Sequence, residues 1–163
     1  MRLPRCFVAK ISRIQLAKSP LIVYNKYTEL FTEVIGMIEI YKSDAENNLI
    51  SIAPEELDNP SFDTSGCWIN LVNPSDREVA TVSGRSGVED AVIKAALDDE
   101  ERSRIEKEDS HVLVLVDIPV IEEEDDYYSY FTLPLGVIVQ DDLLITVTLK
   151  ETSILRDFVR GRI

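Results

Sequence analysis

The chain has 163 residues, 45% of them apolar and 7% aromatic, enough material for one domain with a real core and too apolar for disorder throughout. Thirty acids against 17 bases give a net charge of −13, so nucleic-acid phosphates and anionic membrane are repelled and cations are attracted. The best apolar run, residues 112–121, is broken by Asp117 and Pro119 and falls short of the ~18–20 residues of a membrane helix, so no bilayer span is expected.

Residues 1–36 carry six bases and two acids, a net of +4, which leaves −17 on the remainder. This break near Gly36-Met37 marks residues 1–36 as an N-terminal extension, non-native or translated from upstream, with Met37 the natural start. A targeting presequence or a basic surface helix is the competing reading, although Pro4 and Pro20 would break a long amphipathic helix. Cys6 and Cys67 form neither a disulfide framework nor a zinc spacing and are read as reduced thiols in a cytosolic setting.

The domain proper is placed at 37–163. Met37 to Lys42 alternates apolar and polar residues and predicts a half-buried strand. Asn47-Asn48 turns into a second strand at Leu49 to Ile52, and Pro54 to Leu57 predicts a short helical turn. Cys67 to Val72 is more evenly apolar, the pattern of a central strand. Asn73 is expected to cap a first helix with Pro74 at its first position, and Gly84 to end it. Ser86-Gly87-Val88-Glu89 reads as a capping box for a second helix, whose apolar face is Val88, Val92, Ala95 and Ala96.

The remainder reads as sheet. Ser103 to Lys107 alternates, and His111 to Ile121 is a long apolar strand. Glu122 to Asp126 is expected to be a solvated hairpin connection. Tyr127 to Leu133 and Pro134 to Gln140 are taken as separate strands, because Pro is tolerated at a strand start. Leu143 to Thr148 is the last strand, and Ser153 is expected to cap a final helix. The order predicts an α/β or α+β fold, a mixed sheet packed between helices.

Little supports catalysis. His111, the sole histidine, heads an apolar strand, and no nucleophile motif accompanies it. Ser83 to Gly87 bears glycines but lacks the spacing and lysine of a phosphate loop, so a plain interhelical turn is expected. A hydrolase using paired carboxylates has no motif behind it, and the chain is read as no enzyme. Trp68 is read as core rather than as a ligand platform. Asp98, Asp99, Glu100 and Glu101 stand at a helix C-terminus, where the dipole disfavours acids; a bound cation or a partner's base would offset that, and plain solvation is the alternative. Arg102, Arg104 and Glu106 alternate and are expected to share one strand face.

Several of these segments occur in a telling order. Trp68-Ile69-Asn70 and Pro74 are followed by Ala96-Leu97-Asp98-Asp99-Glu100-Glu101-Arg102-Ser103-Arg104-Ile105-Glu106. Then come Asp117-Ile118-Pro119, Thr132-Leu133-Pro134-Leu135-Gly136-Val137-Ile138, and Leu144-Ile145-Thr146-Val147. Together they resemble the N-terminal cytoplasmic domain of the CorA family of magnesium and divalent-cation transporters. The resemblance implies an α/β/α sandwich on the cytoplasmic side of the membrane, a pentameric assembly, and Mg2+ bound between neighbouring domains to hold a pore closed. The family's Gly-Met-Asn pore motif, stalk and membrane helices are not in this sequence, so the chain would sense ions and gate rather than conduct. The family's regulatory aspartate falls at Ala95, which cannot ligate; Asp98 and Asp99, about one helical turn on, are the nearest substitutes for a weak Mg2+ site. The alternative is a free-standing acidic regulatory module that binds a basic partner or a full-length relative.

Overall fold

The computed structural model describes residues 36–161, apart from residues 45, 47, 125 and 126 and the side chains of 123 and 124. The reading of residues 1–36 as an extension falls on residues 1–35, which lie outside the described residues. Within them, seven strands form one mixed sheet: β1 (Met37–Ser43), β2 (Leu49–Ile52), β3 (Cys67–Val72), β4 (Arg104–Lys107), β5 (Val112–Glu124), β6 (Tyr127–Val139) and β7 (Leu143–Thr148). Their order is β2-β1-β3-β7-β6-β5-β4. Every pairing is antiparallel except β3 with β7, which run parallel from Cys67↔Leu143 to Val72↔Thr148. Such a pair needs a long crossover, and everything from 73 to 142 lies in it.

The helices are α1 (Asp76–Ser86), α2 (Asp90–Lys94) and α3 (Ser153–Val159), with 3-10 turns at Pro54–Asp58 and Ala95–Leu97. The sheet's register sorts its side chains by face. Ile40, Ile69, Leu71, Ile145, Val147, Ile138, Leu113 and Leu115 point to one face and are essentially inaccessible there. Val79 and Val82 of α1, Val88, and Ile93 and Ala96 from the second helical segment close over them. Each fully buried aliphatic residue contributes about 1.5–3 kcal/mol, so this side holds the main core. Among the described residues the other face carries only α3, where Leu155 packs on Ile118 and Leu135 beside the half-buried Trp68, Val116 and Val137. Among the described residues the sheet is therefore thickly covered on one face and thinly on the other.

Several local expectations change. Asn73 does not cap α1: its φ is 44°, a left-handed turn that asparagine tolerates, and its N–H donates to the Thr148 carbonyl at 2.7 Å. Ser75 is the cap, in a complete capping box with Glu78. Gly84 does not end the helix, which runs on to Ser86 and is closed by Gly87 at φ 75°. Residues 83–86 are thus the last turn of α1, not an interhelical turn. Ser86 forms no capping box either, since α2 begins after Glu89 without a side-chain cap, and Ser86 Oγ accepts from the Val88 N–H instead. Thr152, not Ser153, caps α3, accepting from the Leu155 N–H at 3.2 Å.

The larger correction concerns the hairpin. Glu122–Glu124 are strand residues, and Tyr127–Val139 is one strand with Pro134 in its interior. The geometry shows why that proline is tolerated. Pro134 pairs with Asp117, whose N–H turns away from β6 and donates to Ser103 Oγ at 3.2 Å. In an antiparallel pair Pro134 must then turn its own nitrogen toward β7. The β7 pairing stops at Leu135↔Thr148, so no acceptor is missed. Pro119, two residues beyond Asp117, likewise turns its nitrogen toward β4, whose pairing ends at Arg104↔Leu115.

Candidate functional site

The acidic run sits where the chain leaves the helical layer and rejoins the sheet. Lys94, at the end of α2, reaches Asp76 of α1 at 2.6 Å and ties the two helices at the surface. Lys94, hydrogen-bonded and oppositely charged, holds the Asp76 carboxyl below its usual range. The 3-10 turn Ala95–Leu97 follows, with Ala96 buried and Ala95 and Leu97 packed partly against the core. Ala95, the position implied to hold the regulatory aspartate, therefore presents a methyl group to the interior.

Asp98 is extended, and its Oδ1 accepts the Glu100 N–H at 3.0 Å while its carbonyl accepts the Glu101 N–H at 3.1 Å. The Asp98 side chain thus builds the turn that points the chain into β4. Glu101 Oε1 accepts from the Arg102 N–H at 3.0 Å and from Arg104 at 2.6 Å, and Arg104 also bonds Glu106 at 2.6 Å. Those acids hold the guanidinium's pKa above its ordinary value, through the Glu106 hydrogen bond first. Arg104 and Glu106 share a strand face as expected and pair along it, but Arg102 lies outside the strand. Of the run, Asp99 and Glu100 are exposed, and neither side chain makes an ion pair among the described residues.

The described residues hold no group of three or more His, Cys, Asp or Glu gathered as a metal cage. Mg2+ ordinarily takes only one or two carboxylates and keeps its waters. Asp98 and Asp99 are both exposed, and one Asp98 oxygen is already taken by the Glu100 N–H. The other candidates recede. Arg85 donates to the carbonyls of Pro60 and Phe62, which clamps a loop and leaves no phosphate cradle at residues 83–87. His111 Nδ1 lies 3.1 Å from Ser110 Oγ, at the mouth of β5. Cys67 is a buried free thiol whose pKa burial raises.

Sequence reasoning missed a buried polar relay on the thin face. Trp68 Nε1 donates to Thr146 Oγ1 at 2.8 Å, Thr146 Oγ1 donates to Asn70 Oδ1 at 2.8 Å, and Asn70 Nδ2 donates to Glu39 at 2.9 Å. Tyr41 stacks on Trp68 with ring centroids 5.2 Å apart. Burial pushes the Tyr41 hydroxyl well above its ordinary pKa, helped by the hydrogen-bonded Glu39 carboxylate and by Glu151. Trp68 and Asn70 are two apart and so share a face, a signal present in the sequence; their partner on β7 was not.

The described residues fold as an α+β domain with a seven-stranded mixed sheet, and this fold resembles that of CorA soluble domains. The soluble domain of CorA from Methanocaldococcus jannaschii superposes with a TM-score of 0.58 at 22% identity, covering 75% of this chain and 44% of that one. The complete CorA magnesium transporter of the same organism gives 0.59 at 16% identity, covering 77% and 36%. The ZntB cytoplasmic domain of Vibrio parahaemolyticus gives 0.55 at 11% identity, covering 78% and 49%. In sequence, the cobalt/magnesium transport protein CorA of M. jannaschii is 30% identical over 98 residues, 60% of this chain and 29% of that protein.

The profile of the CorA-like Mg2+ transporter protein matches residues 63–161, and the chain belongs to that family. It is a family of transporters and not of enzymes. No helix among the described residues is long and apolar enough to cross a membrane.

Proposed function

We propose that this chain forms the cytoplasmic ion-sensing and gating domain of a CorA-like divalent-cation transporter, with Mg2+ as the ion, and that the described domain does not itself conduct. The family match over residues 63–161 carries this reading. The acidic body supports it: like-charged faces brought together in a ring, a pentamer as the resemblance implies, repel until a divalent ion bridges them. The Asp98-Asp99 turn is the proposed bridging edge, weak in a single chain because a neighbour and water must complete the shell.

The test is a thermal-shift titration with Mg2+ against Na+ at matched ionic strength. A specific site adds stability as RT ln(1 + [L]/Kd), about 2.7 kcal/mol at a hundredfold excess over Kd. The Mg2+ curve is expected to rise above the Na+ curve, and Asp98→Asn/Asp99→Asn to remove the difference. Superimposable Mg2+ and Na+ curves for the unaltered chain refute the site.

A further inference from the structure

We draw no further inference here: the strongest candidate, the apolar patch of Ile105, Val114, Val139 and Leu144 beside α3 on the thinly covered face of the sheet, carries nothing because nothing in the structure shows what covers it.

Discussion

Gly136 lies in the middle of β6, on the thick face of the sheet, directly beneath the 3-10 turn that precedes the acidic run. A methyl group added there would meet the Ala96 Cβ at 2.8 Å, with Leu115 and Val147 each at 3.7 Å. The last two distances are ordinary contact, but the first is about 0.7 Å inside the normal carbon–carbon separation. Ala96 has no rotamer to change, so the whole Ala95–Leu97 turn must lift from the sheet. Overpacking of this kind costs about 1–3 kcal/mol, against which the alanine recovers about 0.5–1 kcal/mol of strand propensity. We expect Gly136→Ala to destabilise by about 1–2 kcal/mol, a fall of roughly 4–8 °C in Tm for a domain of this size. Urea unfolding is the assay, read as a lower midpoint at unchanged slope. The decisive measurement is the double-mutant cycle with Ala96→Gly, which alone should destabilise and in the Gly136→Ala background should restore. Full stability in Gly136→Ala, or strict additivity in the cycle, would refute the contact as the reason for glycine.

Thr146→Val keeps the shape of the β7 core but leaves the Trp68 N–H and the Asn70 carbonyl oxygen without their partner. A loss of about 2–3 kcal/mol is expected in urea unfolding, with a shift in Trp68 emission. Ser75→Ala removes the capping hydroxyl of α1 and should cost about 1 kcal/mol by the same assay. The Asp76 carboxyl has a folded-state pKa below its ordinary value, so its contribution is present above about pH 4 and is lost as pH falls through the lowered value. Lys94→Met should therefore flatten that acid limb of stability while leaving its neutral-pH slope unchanged, and an unaltered limb would show that the surface pair does nothing. At the alkaline end the sign reverses for Tyr41, whose raised pKa makes stability fall above about pH 10; Tyr41→Phe should shallow that decline in a pH series of urea melts.

Two strands were plain in the sequence, since Met37 to Lys42 alternates and Cys67 to Val72 is evenly apolar, as a central strand covered on both faces must be. Turn chemistry was less legible. Asn73 and Ser75 are both good caps, and only the tertiary hydrogen bond from Asn73 to Thr148 decides that the first makes the turn and the second the cap. Pro134 looked like a boundary because its tolerance depends on where β7 stops, a fact about a neighbouring strand. The acids from Glu122 to Glu124 looked like a loop because charge was read as solvation, whereas an arm beyond the sheet is solvated and still paired. The acidic turn was located correctly, yet the sequence did not show that Glu101 would be taken up by Arg104 or that Asp98 would brace the backbone. Those are outcomes of packing a turn against the start of β4.

The parallel pairing of β3 with β7 also constrains the order of events during synthesis. Cys67 leaves the ribosome 76 residues ahead of its partner Leu143. Until β7 emerges, β1, β2 and β3 can pair only in the order β2-β1-β3 with the β3 edge uncovered, while β5 and β6 can zip locally as a hairpin. The growing chain thus holds two preformed halves that only the last strand can join. Truncations ending before Leu143 should leave β3 open to strands of other chains, so the step most exposed to aggregation is the wait for β7.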